Sequence, residues 1–259
     1  ISDSSAVNYE TTTTGLGLEF GFPLASDKRI NTRYSLYSVK TTPDSNATAY
    51  ETLLAGTNTT SSIGYTFSLD KRNSRYRPSS GYNLIFDQDI SGIGGNSFYI
   101  KDVAKYNFYK RLTKRFIGAF KLSLGNVNGY NGKYAPLSSY FNLGGNSLRG
   151  FKYGKVGPKF ETSYLGGQYY YLLQTETNID LPIESFDIKS VLFADIGSVF
   201  GINDQYNFIN DSHKVRSSVG INFLWDSAIG PINLVFSEVI NKEETDQIDR
   251  FYFDIGYNF

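Results

Sequence analysis

Apolar and polar residues alternate with a period of two along most of the chain, and helical spacing is hard to find. Leu16, Leu18, Phe20 and Phe22 share one face, with Gly17, Glu19 and Gly21 on the other. Ile63, Tyr65, Phe67 and Leu69 repeat the pattern against Gly64, Thr66 and Ser68, and Tyr82, Leu84 and Phe86 follow. Phe116, Phe120, Leu122 and Leu124 oppose Arg115, Lys121 and Ser123. The cleanest run is the last, where Phe251, Phe253, Ile255, Tyr257 and Phe259 alternate with Tyr252, Asp254, Gly256 and Asn258. The alternation predicts strands at 13–22, 30–39, 60–70, 81–88, 97–110, 114–125, 168–180, 187–197, 213–225, 229–240 and 249–259. The class is all-β and antiparallel.

Two architectures alternate in this way. A soluble sandwich buries its apolar faces between two sheets, whereas a transmembrane barrel turns them to lipid around a polar interior. Connection lengths favour the barrel. Short links at 23–27, 70–80, 111–113, 181–185 and 226–230 interleave with long polar ones near 40–60, 88–96, 126–167, 198–212 and 241–248. Short turns on one rim and long loops on the other mark outer-membrane barrels, and strands of about ten residues suit a tilted crossing. An odd strand count whose last strand ends on the short-turn rim leaves residues 1–12 as the tail of a long loop. Even-numbered barrels with no open edge in lipid then require an odd number of further strands upstream. The chain reads as the C-terminal part of a barrel.

Composition trims the remaining choices. The 259 residues carry 25 Lys and Arg against 25 Asp and Glu, which removes the electrostatic case for a nucleic-acid binder. The absence of cysteine excludes disulfide, iron–sulfur and the usual zinc frameworks. His213, the single histidine, has no partner spacing for a catalytic triad, and no metal or cofactor motif is present. Glu243, Glu244, Asp246 and Asp249 cluster in a link, where a solvated loop is the ordinary reading and calcium the sharper one.

The long link 126–167 holds Leu143-Gly144-Gly145-Asn146-Ser147-Leu148-Arg149-Gly150-Phe151, followed by Val156-Gly157-Pro158. Gly-Gly-Asn-Ser alone is a turn cluster, and an Arg in a loop is usually solvated. A guanidinium, however, offers a rigid fork of donors that matches carboxylates, so an Arg is a suitable anchor for a loop folded into a barrel. Acids lie on inward rows of the next two strands. Asp195 shares its face with Phe193 and Gly197, and Glu176 shares its face with Gln174 and Asn178.

The whole string resembles the conserved loop-six segment of the BamA-type outer-membrane assembly and translocation family. Its hallmark is an aliphatic–Arg–Gly–aromatic tetrad after a Gly-Gly turn, here Leu148 to Phe151 after Gly144 and Gly145. Phe193-Ala194-Asp195-Ile196-Gly197 resembles the family element whose Asp pairs with the loop Arg. The family's second acid stands four residues before a proline. That slot is Asn178, while Glu176 lies one inward position earlier, so the second partner stays open between them.

The resemblance implies that the visible strands are the last eleven of sixteen, with periplasmic POTRA modules and five strands preceding them. It also implies a C-terminal strand (Phe251, Phe253, Ile255, Gly256, Tyr257, Phe259) that serves as assembly signal and as one side of a lateral seam. The expected work is folding and insertion of other β-barrel proteins into the bacterial outer membrane without ATP. Nascent barrel proteins, membrane lipid and accessory lipoproteins are the implied partners, and neither enzyme chemistry nor a cofactor is expected. A translocator branch exporting a passenger is the alternative, for which lumen charges Lys101, Lys105, Lys121 and Arg216 would suit a wet channel. A diffusion porin is the weaker reading.

Overall fold

The computed structural model describes residues 9–45, 52, 55–180, 188–203, 209, 211–227 and 230–255. The alternating segments form β1 (Tyr9–Ala25), β2 (Lys28–Pro43), β3 (Gly56–Asp70), β4 (Gly81–Gly95), β5 (Tyr99–Arg111) and β6 (Phe116–Gly129). Inside the following loop lie three two-residue strands, β7 (Gly150–Phe151), β8 (Lys159–Phe160) and β9 (Ser163–Tyr164). Next come β10 (Tyr169–Asp180), β11 (Ile188–Phe200), β12 (Arg216–Ser227), β13 (Gly230–Asn241), the short β14 (Ile248–Asp249) and β15 (Phe251–Ile255).

Eleven of these strands form a single antiparallel sheet, in the order β1-β2-β3-β4-β5-β6-β10-β11-β12-β13-β15. Chain neighbours are sheet neighbours throughout, as in an up-and-down meander. Residues directly opposite one another share a face, so the registers Leu16↔Leu36, Leu18↔Tyr34 and Phe22↔Ile30 carry one apolar surface across β1 and β2. That surface points outward: Leu16 is 60% exposed, Leu192 48% and Phe253 64%. The opposite face meets the loop 130–168, and there Asp195 and Val199 are fully buried.

The strands overrun the boundaries read from the pattern. Residues 9–12, expected in a loop, belong to β1 and pair with β2 from Tyr9↔Pro43. The long loop expected at 88–96 is instead the end of β4, leaving residues 96–98 as the link to β5. A register shift between Thr60 and Ser62 absorbs the irregular stretch Ser91-Gly92-Ile93-Gly94-Gly95. Glycine and hydroxyl residues hide the period of two, yet their backbones still pair. The link 181–187 and the terminal Gly256, Tyr257 and Phe259 lie outside the described residues.

Leu192 sits near the middle of β11 on the outward face. Leu192→Arg should cost about 2–4 kcal/mol of barrel stability in a bilayer. Denaturant unfolding from liposomes measures it, and an unchanged midpoint would contradict the outward assignment.

Candidate functional site

The loop 130–168 folds back over the inner face. Its apolar residues Leu143, Leu148, Phe151 and Val156 pack with Leu172 of β10 and Val199 of β11 into a dry cluster. Phe141, Tyr170, Val239 and Ile248 flank it. Burying Leu148, Phe151 and Val156 completely supplies the general drive to seat the loop, at roughly 1.5–3 kcal/mol per side chain.

Polar contacts fix the position. Gly144 and Gly145 form the turn, in which the Ser147 hydroxyl donates to the Gly144 carbonyl at 2.8 Å. The Gly145 amide donates to the Phe151 carbonyl at 2.7 Å, closing the segment into a tight lobe. Arg149 projects from this lobe onto the wall. Its Nε donates to Asp195 Oδ2 at 2.8 Å and its Nη2 to Oδ1 at 2.6 Å, a two-pronged pair. The Arg149 backbone amide adds a third bond to the same carboxylate at 3.1 Å.

Nη1 lies 2.9 Å from Glu176 Oε1, and Lys121 Nζ lies 2.7 Å from Glu176 Oε2. The second acid is therefore Glu176, not Asn178. An inward row places side chains two residues apart about 7 Å along a strand, so the guanidinium that seats on Asp195 meets only one of them. The registers Gln174↔Asp195 and Glu176↔Phe193 set Glu176 diagonally beside Asp195, within the fork's reach. The ring of Phe193 stacks on the guanidinium, 3.7 Å from its carbon. Burial alone would lower the Arg149 pKa, but the bonds and charge of Asp195, then of Glu176, leave it raised.

Gly150 lets this seat exist. Its φ is +93°, and a Cβ there would stand 3.0 Å from Val239 and 3.2 Å from Ser218. Gly150→Ala should strain the segment by about 1–3 kcal/mol. Hydrogen exchange should then be faster at the Lys152 amide, which donates to the Gln247 carbonyl at 2.9 Å; unchanged protection would count against a close approach.

The lobe reaches beyond β11. Ser218 of β12 donates its hydroxyl to the Arg149 carbonyl. Strand β7 pairs with β14 through Gly150↔Asp249 and Phe151↔Ile248, joining the motif to the segment just before β15. On β15 itself, the Tyr252 hydroxyl donates to Asn146 Oδ1 at 2.8 Å. Phe251 and Phe253 face outward, and the residues from Phe251 to Ile255 pair with β13. One loop thus braces the wall from β10 to β15.

Sequence reasoning missed a second buried pair. Asp246, read as a solvated loop acid, has a fully buried side chain that accepts from Arg216 Nε at 2.9 Å and Nη2 at 3.1 Å. It also accepts from the backbone amides of Glu243 and Gly157, and so ties the links before β10 and before β15 to β12. The arrangement was hidden because Arg216 and Asp246 are 30 residues apart and loop acids carry no periodicity. A third cluster, Arg33 with Asp87, Asp89 and Thr66, joins β2, β3 and β4 on the inner face.

Several of the lumen charges that would suit a wet channel are thus engaged. Lys101 donates to the Ser139 carbonyl at 2.7 Å, Lys121 pairs with Glu176 and Arg216 with Asp246; Lys105 stays exposed. His213 stacks against Phe200 with ring centroids 4.4 Å apart. Among the described residues, no group of three His, Asp or Glu side chains could hold a metal ion.

A family model described as the Omp85 superfamily domain matches residues 1–259. The chain belongs to the Omp85 superfamily. An Omp85 barrel resides in an outer membrane, bacterial or mitochondrial. The outer membrane protein assembly factor BamA of Neorickettsia risticii is 28% identical over 95% of this chain and 34% of its own length. BamA of Neisseria meningitidis is 24% identical over the full chain and 38% of its own length. The SAM50-like protein CG7639 of Drosophila melanogaster is 28% identical over 76% of this chain and 45% of its own length. The chain therefore spans less than half of each of these relatives. The crystal structure of BamA from Haemophilus ducreyi lacking POTRA domains 1–3 superposes with a TM-score of 0.83, at 21% identity, covering 95% of this chain and 54% of that one. The Omp85 barrel fold is common to both.

Proposed function

We propose that this Omp85 chain is the C-terminal barrel part of a bacterial outer-membrane assembly factor, which folds and inserts other β-barrel proteins without ATP. The observation that carries the reading is the bracing loop. Arg149, held by Asp195 and Glu176, fastens a lobe that pairs with the segment entering β15 and touches Tyr252 on it. Gly144, Gly145, Leu148, Gly150 and Phe151 shape that lobe, and Phe251, Phe253 and Ile255 belong to the strand it controls. The names of the relatives, two outer membrane protein assembly factors and a SAM50-like protein, support the same reading.

The mechanism is β-augmentation at a sheet edge. An unpaired backbone group in hydrocarbon costs several kcal/mol, so an incoming strand gains by pairing with a presented edge before it meets lipid. A loop that holds the terminal strands in a defined register keeps such an edge competent. No covalent step is needed; binding free energy and bilayer deformation do the work. Accessory lipoproteins and periplasmic POTRA modules complete the proposed setting.

The full-length protein, reconstituted in liposomes, should accelerate the folding of an unrelated denatured barrel several-fold over protein-free liposomes. Passenger export without acceleration would mark a translocator and overturn the reading. The engaged lumen charges Lys121 and Arg216 favour the assembly role over a wet conduit.

A further inference from the structure

We propose that the short-turn rim of β1 to β6 is a binding strip for the headgroups of anionic phospholipids in the leaflet that it meets. The inference stands on charge placement and is independent of the assembly role.

The chain has no net charge, yet its basic residues are concentrated on this rim. Residues 24–29, 70–81 and 110–116 hold Lys28, Arg29, Lys71, Arg72, Arg75, Arg77, Lys110, Arg111, Lys114 and Arg115, against only Asp27 and Asp70. All of the basic side chains except Arg72 are exposed. The two acids are already engaged, Asp70 by Arg72 at 2.9 Å and Asp27 by Lys71 at 3.7 Å. Among the described residues, Lys28, Arg29, Lys110, Lys114 and Arg115 have no acidic partner.

Strand parity shows where three of the lysines lie. The outward row passes across neighbouring strands through Phe22↔Ile30, Lys28↔Leu69, Leu69↔Leu84, Leu84↔Tyr106 and Phe108↔Phe120. Lys28 precedes Ile30 in that row and Lys110 follows Phe108. Lys71 follows Leu69, and its amide continues the ladder to the Tyr82 carbonyl at 2.8 Å. Lys114 lies in the turn between β5 and β6, two residues before the exposed Phe116. Lys28, Lys71 and Lys110 therefore stand at the edge of the lipid-facing apolar surface, where a lysine stem covers hydrocarbon while its head reaches the phosphates, and Lys114 joins them from the turn. Leu112, 57% exposed, and Tyr76, 95% exposed, add apolar and amphipathic side chains along the same rim.

The strip runs from β2 to β6, about 20 Å at the usual strand spacing. On the opposite rim the same rows end in Glu10, Thr12, Lys40, Thr42, Asn126 and Asn128, which are hydroxyls and amides with one lysine and one glutamate. Links 181–187 and 226–230 contain Glu184, Asp187 and Asp226 and no Lys or Arg. Among the short-turn links, the positive charge thus belongs to the arc from β1 to β6. An acidic protein segment would be served by charges pointing away from the bilayer, but these lysines continue the rows that lipid covers.

The test is native mass spectrometry of the full-length protein released from nanodiscs of phosphatidylcholine with a minor share of phosphatidylglycerol. Phosphatidylglycerol should be retained well above its share, and the enrichment should fall as salt is raised. The quadruple variant Lys28→Gln, Lys71→Gln, Lys110→Gln and Lys114→Gln should lose the preference about tenfold or more. Lys40→Gln with Lys105→Gln should keep it. Heat-modifiable gel migration reports that the variants are folded, and the salt series on the unaltered protein needs no variant. Retention in proportion to share, or enrichment indifferent to salt, would overturn the proposal. So would a quadruple variant that keeps its lipid preference while releasing a co-purifying acidic protein.

Discussion

Arg149→Ala should remove most of the acceleration that the full-length protein gives to the folding of another barrel, while the protein still reaches the membrane. The substitution deletes three side-chain contacts to Asp195 and Glu176 and the stacking on Phe193. Lys121 continues to neutralise Glu176, so the loss falls on Asp195, whose side chain is 0% exposed. Removing one partner of a buried pair costs about 3–5 kcal/mol, because the other charge is stranded. The ladders of the sheet do not depend on Arg149, and the cost therefore appears as release of the lobe rather than loss of the barrel. Arg149→Lys should fall between, since an ammonium keeps the charge and loses the fork. Client folding rates measured beside heat-modifiable migration check this, and unchanged rates with Ala would refute it.

Asp246→Ala should have an effect of similar size on the loops. Arg216 is 1% exposed, and without Asp246 its guanidinium keeps only the Ser198 hydroxyl and the Lys214 carbonyl as acceptors. The amides of Gly157 and Glu243 lose their acceptor as well. A cost of about 3–5 kcal/mol is expected, with links 130–168 and 242–250 opening to protease while the strands stay resistant. Replacing both partners with apolar residues, Arg216→Met with Asp246→Leu, should restore most of the protection, since no buried charge is then left alone. Equal protease resistance of Asp246→Ala and the unaltered protein would show that the pair does not fasten these links.

What the sequence made legible follows from periodicity. Alternation placed the strands and their faces, and parity put Asp195 and Glu176 on inward rows; the loop's tetrad singled out Arg149. Three features stayed hidden for separate reasons. The end of β4 is rich in glycine and serine, which pair through their backbones but carry no apolar signal. Asp246 lies in a link whose acids look solvated until the loop 130–168 is known to cover them. The choice of Glu176 over Asn178 depends on where the guanidinium seats between two strands, a matter of register that one strand's pattern does not contain. Alternation specifies a face, whereas depth of burial depends on what folds over it.

The account rests on the lobe being seated against the segment that leads into β15. Lys152 and Gln247, both exposed, face one another one step beyond the Phe151↔Ile248 pair. Directly opposed residues of an antiparallel pair have Cα atoms about 4.5–5.5 Å apart, inside the range of a disulfide. Because the chain contains no cysteine, Lys152→Cys with Gln247→Cys makes a single defined bridge within it. The disulfide should form spontaneously in the folded, membrane-embedded protein, leave client folding intact, and form more slowly when Arg149→Ala is added. Free thiols at both positions in folded protein would place the lobe elsewhere and contradict the account.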